Sequence, residues 1–412
     1  MRILHLSTSD IDNGGARAAY RLHQGLRSLG CSSQMLVRAR FSTDPTVVPE
    51  KSILTKLGPV TSQLSLQFFS QKPLSMFSPQ YFPDALAPKV NQIHPDIINL
   101  HWVCNGFLRI ETLAKFQQPL VWTLHDMWPF TGGCHYNSDC DHYQQACGTC
   151  PQLGSDRKGD LSHRIWQRKA KSWKNLNLTI VATTSWMADC ARSSSLFKHR
   201  RIEVIPLGLD TDKYKPCKQS FARDVLNLPH DKQLVLFGAI GGTSDRRKGF
   251  HLLLPALQRL KQSGWEEQIE LVLFGSAMPE QPPDLGFRTH YVGRLTDDIT
   301  LALVYSAVDV MIVPSIQEAF GQTASEAMAC GTPVVAFNAT GLKDVVNHQQ
   351  TGYLATPFEP EDLAKGIAWV LSDKERHQML AENARNKALQ EFTYDVQARR
   401  YLSLYQTIAA SC

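Results

Sequence analysis

No stretch of this 412-residue chain approaches the roughly 18 consecutive apolar residues that a membrane-spanning helix needs. A secretory signal core is missing too, because Ser7-Thr8-Ser9-Asp10 breaks the short apolar run that follows Arg2. Charge of one sign is scarce: 43 Lys and Arg against 38 Asp and Glu leave a net charge of +5. The basic residues are scattered and form no nucleic-acid-binding block. Short repeats and low-complexity tracts are also lacking. These absences point away from a membrane-spanning, secreted or nucleic-acid-binding protein and lead to the expectation of a cytoplasmic one. What is present, 43% hydrophobic and 20% charged residues, is the composition of a soluble globular chain. Its length exceeds one ordinary core and suits two domains of about 200 residues.

Short apolar runs alternate with helical patterns. The runs Arg2–Ser7, Gln34–Val37, Asp96–His101, Leu120–Leu124 and Leu178–Thr183 read as parallel strands buried on both faces. Ala16–Leu29 reads as the first crossover helix, stopped by Gly30. A second series places strands at Leu234–Phe237, Glu270–Phe274, His290–Val292, Asp309–Val313 and Pro333–Phe337. Helices are predicted at Phe250–Gln262, Asp298–Ser306, Ala324–Ala329 and Pro360–Leu371. The result is an α/β fold of two Rossmann-like, doubly wound parallel-sheet domains. The expected division is 1–205, with an insertion at about 43–89 and a Cys-rich segment at 133–151, then 206–390, then a C-terminal helix within 391–412 that crosses back. Pro206–Pro229 reads as the linker. Ligands in such sheets bind at the carboxyl ends of the strands, so the chemistry is expected in a cleft where the two sheets face each other.

The most informative stretch is PSIQEAFGQTASEAMACGTPVV, Pro314–Val335. Glu318 and Glu326 are separated by seven residues, around a strand end, Phe320-Gly321-Gln322 and a helix start. Unsatisfied amides at a helix N-terminus, backed by its dipole, suit a diphosphate, and Gly321 allows close approach. Glu326 is placed to accept from ribose hydroxyls, Glu318 to contact a sugar ring. A pair of surface glutamates is the plainer reading. The segment resembles the Glu-x7-Glu signature of the family 4 glycosyltransferases, retaining enzymes of the GT-B fold. The likeness extends to Ile3–Tyr20, with Gly14-Gly15 before the first helix, and to Val204–Asp210, the family's hinge, with Leu207 where asparagine is usual.

That resemblance implies transfer of a sugar from a nucleotide-sugar donor to a saccharide or lipid-linked acceptor with retention and no required cofactor. In the loop Gly238–Gly249 (GAIGGTSDRRKG), Lys248 matches the family's phosphate-binding lysine. Ala239 departs from the partner arginine, whose place then falls to Arg247 or Arg246. Fixed cations there stabilise the charge that grows on a leaving diphosphate. The resemblance also places Gly15 at the diphosphate, His125 beside the transferred sugar and Arg294 at the base. Neither His125 nor Asp126 has a serine or cysteine partner at a suggestive spacing, which argues against a hydrolase triad. A nucleotide-sugar epimerase or hydrolase and a non-enzymatic sugar- or nucleotide-binding protein are the rival classes, separated from a transferase by product analysis with and without acceptor.

Cys134, Cys140, Cys147 and Cys150 crowd one segment. A closed structural zinc site, two disulfides and buried free thiols all account for them, and a reducing cytoplasm favours zinc over disulfides. Finally, Ile53–Phe69 gathers Ile53, Leu54, Leu57, Val60, Leu64, Phe68 and Phe69 largely on one helical face, with Lys51, Lys56 and Lys72 around it. Such a stripe suits peripheral contact with anionic lipid, although most such stripes pack on their own core, and Gly58-Pro59 weakens the helix.

Overall fold

A computed structural model describes residues 1–64, 66, 76–238, 245–275, 278 and 280–411. The chain divides into two compact units, Met1–Gly208 with Tyr394–Cys412, and Leu209–Thr393.

The first unit is built on a parallel sheet. Its strands are β1 (Arg2–Ser9), β2 (Ser32–Ala39), β3 (Val47–Pro49), β4 (Ile97–Leu100), β5 (Leu120–Leu124), β6 (Leu178–Ala182) and β7 (Arg201–Val204). They lie in the order β3-β2-β1-β4-β5-β6-β7. Strands β4, β5 and β6 are buried along their whole length, in keeping with sequences that are mostly Ile, Leu, Val and Trp, with Asn99, Thr123 and Thr179 as the polar members. Crossover helices cover the faces: α1 (Gly14–Ser28), α2 (Ile53–Leu64), α3 (Leu86–Ile93), α4 (Leu161–Trp173) and α5 (Ser185–Ser193). Helix α1 starts where the Asn13 side chain accepts the Ala16 N–H at 3.1 Å, an N-cap that satisfies one orphan donor. Its Leu22 and Leu26 share a core with Ile3, Ile97, Val121 and Val181.

The C-terminal helix, Tyr394–Ala410, belongs to this first unit and completes that core with Ala398, Tyr401, Leu404, Tyr405 and Ile408. Each large apolar side chain so buried is worth about 1.5–3 kcal/mol. The approach is close enough that a Cβ on Gly25 of α1 would lie 2.7 Å from the Tyr394 carbonyl.

The second unit holds β8 (Gln233–Gly238), β9 (Ile269–Phe274), β10 (Thr289–Tyr291), β11 (Val310–Val313), β12 (Val334–Phe337) and β13 (Gly352–Ala355), in the order β10-β9-β8-β11-β12-β13, again parallel. Its helices are α6 (Gln219–Leu226), α7 (Phe250–Gln262), α8 (Asp298–Ala307), α9 (Gln322–Ala329), α10 (Leu342–Val345), α11 (Pro360–Leu371) and α12 (Lys374–Glu391). The stretch expected to be plain linker therefore carries a helix, α6. Its Arg223 is buried, donates to the Ala307 carbonyl at 2.8 Å and pairs with Asp309 at 2.8 Å, so 209–229 is part of the second unit's body. Strands β8 and β11 are neighbours, with Ile312 opposite Phe237. The loops leaving their carboxyl ends consequently emerge side by side.

Candidate active site

Those two loops build the first cluster. A single turn, Arg246–Lys248, follows β8, and Pro314–Phe320 follows β11. They are joined where the Ile316 N–H donates to the Arg247 carbonyl at 2.8 Å. Gly249, at φ +74°, makes the contact: a Cβ there would lie 1.8 Å from the Pro314 carbonyl oxygen. The docking brings together three of the residues singled out from the sequence. Lys248 Nζ donates to Glu318 Oε1 at 2.5 Å, and Arg247 Nη1 stands 3.7 Å from the same oxygen. Ser315 Oγ donates to it at 3.0 Å. The Glu318 backbone is held at both ends, its N–H on Thr340 Oγ1 at 3.1 Å and its carbonyl on the Gly341 N–H at 3.0 Å. Burial by itself would raise the Glu318 carboxyl, but the Lys248 and Arg247 charges outweigh it and hold the group below the usual carboxylate range. Arg247 is further tied to Asp245 at 2.9 Å and to the Gln317 carbonyl at 2.9 Å. Arg246 is exposed. Ala239 lies outside the described residues.

Helix α9 begins immediately afterwards. Gly321 adopts φ +96°, and a Cβ on it would meet Leu342 Cδ2 at 2.6 Å, so only glycine turns the chain here without strain. The Phe320 ring is buried edge-to-face on Phe392, at 5.5 Å and 88°, which leaves its backbone as the part able to meet a ligand. Gln322 opens the helix, half-buried. Glu326, one turn in, is 6% exposed and accepts the Tyr305 hydroxyl proton at 3.1 Å on Oε2. Arg294 stands exposed on the loop after β10, beyond Gly293, whose carbonyl takes the Gly275 N–H at 2.9 Å. No side-chain contact among the described residues joins Arg294 to the Glu318 cluster.

In the first unit Gly15 and His125 are brought together. A Cβ on Gly15 would lie 3.5 Å from His125 Cγ, an ordinary contact. The fold does not demand glycine there, so the room it leaves beside the imidazole is not explained by packing. His125 follows β5; its Nε2 is 3.1 Å from His101 Nδ1, and His101 Nε2 is 2.9 Å from His5 Nδ1. Burial lowers the His125 pKa to about 4, against the opposing pull of Asp126. The sequence reading missed His5 and His101. The available signal was that β4 and β5 both run out into Leu-His, Leu100-His101 and Leu124-His125.

Asp126 departs from expectation. It does have a histidine and a serine partner: His135 Nδ1 lies 2.6 Å from Asp126 Oδ2, and His135 Nε2 lies 2.9 Å from Ser78 Oγ. The serine comes from the stretch read as an insertion, 57 residues away from His135, which is why spacing gave no hint. All three side chains are buried, with Ser78 7% exposed. The same carboxylate also takes Trp102 Nε1–H and the Trp128 N–H, each at 2.9 Å. The chain Ser78–His135–Asp126 therefore ties the Trp128-Pro129-Phe130 turn to the sheet, and no nucleophile is presented to solvent. Lys169 supports that turn from below: fully buried, its Nζ lies 3.6 Å from the centre of a Trp128 ring and donates to the Trp128 and Thr131 carbonyls.

Cys134, Cys140, Cys147 and Cys150 line one cavity of about 20 Å³, with Phe77, His142 and Tyr143 also on its wall. All four are free thiols. Burial raises each, the Cys147 thiol to about 12. Cys147, Gly148 and Thr149 run consecutively at positive φ, which turns the chain so that Cys147 and Cys150 reach the same space. Among the described residues no group of three or more His, Cys, Asp or Glu stands ready to hold a metal ion, so a bound ion would have to draw the thiols inward. Asp-x-Asp spacings occur at Asp10/Asp12, Asp139/Asp141 and Asp210/Asp212. Asp10 is spent on backbone N–H groups of Ile11, Phe41 and Ser42.

Helix α2 turns out with its polar side inward. Thr55, Gly58 and Ser62 are buried, and a Cβ on Gly58 would lie 2.3 Å from the Gly106 carbonyl oxygen. Ile53, Leu57 and Val60 are 73%, 51% and 68% exposed, with Lys51 and Lys56 exposed beside them. The helix ends at Leu64; Phe68, Phe69 and Lys72 lie outside the described residues. Among the described residues no helix is long and apolar enough to cross a membrane.

Two family models match the chain: "Glycosyl transferases group 1" over residues 218–387 and "Glycosyltransferase Family 4" over residues 12–213. A D-inositol 3-phosphate glycosyltransferase from Xylanimonas cellulosilytica is 36% identical over 222 residues. That stretch is 50% of this chain and 51% of the relative, about half the length of each. A sucrose-phosphate synthase from Thermosynechococcus elongatus superposes with a TM-score of 0.72 at 23% identity, covering 100% of both chains. HepE from Anabaena, solved with UDP and glucose, gives 0.65 at 20% identity over 98% of this chain and 99% of its own. These likenesses establish the GT-B fold class.

Proposed function

From the chain's membership of the family 4, group 1 glycosyltransferases, we propose that it transfers a sugar from a nucleoside-diphosphate donor to a saccharide or lipid-linked acceptor, with retention of anomeric configuration. The observation that carries this reading is the cluster of Lys248, Arg247 and Glu318 beside the start of α9. Lys248 and Arg247 are the donor's diphosphate ligands, and they supply positive charge where the leaving group accumulates negative charge. Glu318 holds these two cations around one carboxylate oxygen, oriented as a phosphate oxygen needs them. Glu318 faces the sugar ring. The backbone of Phe320, Gly321 and Gln322 at the N-terminus of α9 adds N–H groups and dipole for the phosphates. Glu326 receives the ribose hydroxyls, and Arg294 lies at the base. In the first unit, Gly15 leaves room beside His125 for a phosphate or sugar hydroxyl oxygen.

In this reading the acceptor hydroxyl attacks from the face the leaving phosphate vacates, and a phosphate oxygen takes its proton. No side chain forms a covalent bond to the sugar. The chain's own cations carry the charge, so no cofactor is required. The test is nucleotide release by purified protein from a panel of UDP-, GDP- and ADP-sugars, with and without acceptor. Acceptor-dependent release and an α-linked product from an α-linked donor support the proposal. Release onto water alone indicates a hydrolase.

Two accessory roles belong to the same proposal. The exposed Ile53, Leu57 and Val60, with Lys51 and Lys56 exposed beside them, fit an anionic membrane surface. Flotation with phosphatidylglycerol vesicles is expected at low salt and to weaken at high salt; absence of binding at low salt refutes it. The four thiols form a structural zinc clip, since a cavity of about 20 Å³ takes a single ion and four-thiolate sites are closed to substrate. One equivalent of zinc per chain, released by thiol modification, is the expected result; a metal-free, fully folded chain refutes it.

A further inference from the structure

Three imidazoles run inward from the candidate site in hydrogen-bond contact, His125, His101 and His5. His101 and His5 are 2% and 0% exposed. A neutral imidazole carries one proton on its two nitrogens, so in such a row each ring fixes the tautomer of the next. Two features of the inner end decide the direction. Asn99 Nδ2, a donor, lies 3.2 Å from His101 Nε2, while Asn99 Oδ1 takes the Thr123 hydroxyl proton at 3.2 Å. That orientation makes His101 Nε2 an acceptor. His5 Nε2, at the far end, is buried with no partner among the described residues. Were the row reversed, that atom would be an N–H with nothing to receive it, the costlier kind of orphan. In the forward direction it is a bare lone pair.

We propose that Asn99 and His101 are positioning residues that hold His125 as its Nδ1–H tautomer, so that the imidazole meets the substrate as a hydrogen-bond donor and not as a base. The sequence of bonds is His5 Nδ1–H to His101 Nε2, with Asn99 Nδ2–H as the longer contact sharing that lone pair, then His101 Nδ1–H to His125 Nε2. The Nε2 lone pair of His125 is thereby occupied, and Nδ1–H is the group left on its outward edge, the edge with no described partner. The packing supports neutral rings throughout. Burial lowers the pKa of His101 and His5 well below the ordinary histidine range, and each neighbouring imidazole opposes a charge on the next. A donor at this position suits a sugar hydroxyl oxygen or a phosphate oxygen, both of which accept. The inference rests on the proposed function only for the identity of the molecule that receives the bond.

The experiment is a long-range ¹⁵N–¹H correlation spectrum of the full chain labelled at histidine, with the His125 signals assigned by their loss in His125→Gln. The expected pattern has Nδ1 protonated and Nε2 bare at His125. A protonated Nε2 overturns the proposal, whatever the activity. Asn99→Asp replaces the donor by an acceptor, so His101 and His125 should both reverse and turnover should fall tenfold or more with KM changed less than threefold. Reversal with unchanged turnover overturns the role as a donor to substrate. Should Asn99→Asp not fold, the wild-type spectrum still decides the tautomer. The two readings fail separately: an Nδ1–H tautomer in a chain that releases no nucleotide from any donor sinks the proposed function and leaves the tautomer assignment standing.

Discussion

Acidification from pH 7 to pH 5 should destabilise the first unit through its buried histidines. His23 is the clearest case. It is 0% exposed, its Nδ1 is on Ser33 Oγ at 2.8 Å and its Nε2 on Thr46 Oγ1 at 2.9 Å. Burial lowers its pKa from 6.5 to about 4, against the pull of Asp44, and His125 is lowered to the same level. With the folded pKa below the unfolded one, the unfolded chain binds more protons between these values. The contribution of these neutral histidines is therefore present above about pH 6.5, declines as the pH falls, and is lost in full below about pH 4. At pH 5 each group costs about 2 kcal/mol, so the pair costs about 4 kcal/mol against a typical total of 5–15 kcal/mol. His5 and His101 act in the same direction. Urea unfolding followed by tryptophan fluorescence is the assay. It reports mainly on this unit, which contains Trp102, Trp122, Trp128, Trp166, Trp173 and Trp186 against Trp265 and Trp369 in the other. The midpoint is expected to fall by about 1 M or more between pH 7 and pH 5, and His23→Gln should make that fall smaller. Equal midpoints at the two pH values would refute the reasoning.

Lys248→Ala should lower turnover at least a hundredfold while changing donor affinity less, because the charge it meets grows as the bond breaks; near-normal single-turnover rates would move the role to Arg246 or Arg247. Glu326→Gln should weaken donor binding by about 1.5–3 kcal/mol and still accept the Tyr305 proton, so calorimetry showing unchanged affinity in a folded variant removes Glu326 from the site. Lys169→Ala strips two carbonyls of their donor and uncovers a Trp128 face, for a loss of about 1–3 kcal/mol, read as a lowered Tm. Gly249→Ala sets a Cβ 1.8 Å from the Pro314 oxygen; it should undock the Lys248 turn and abolish activity with the rest of the second unit folded by circular dichroism.

Central strands were legible because burial on both faces leaves an apolar run, and β5 falls at Leu120–Leu124 as read. Helices α7 and α11 were legible by their period and end at the expected residues. The edge strands β3, β7 and β13 went unread. Strand β7 shows why: Arg201 and Val204 are exposed with Ile202 and Glu203 between them, and an edge strand of mixed exposure has no run to detect. The region of α6 was read as linker because its packing rests on a buried arginine and not on an apolar stripe.

The same division holds at the site. Glu318, Gly321 and Glu326 lie on one strand–loop–helix passage, so their spacing along the chain already placed them at one strand end and helix start. Lys248 and Glu318 are 70 residues apart, and they meet because β8 and β11 are adjacent and parallel, which delivers both loops to the same end of the sheet. Likewise His5, His101 and His125 come from β1, β4 and β5, three strands whose order and register set one imidazole against the next. Local periodicity records what a residue does with neighbours three or four positions away. Which distant loops become neighbours depends on strand order, and that is decided only when every strand has found a place that buries both of its faces.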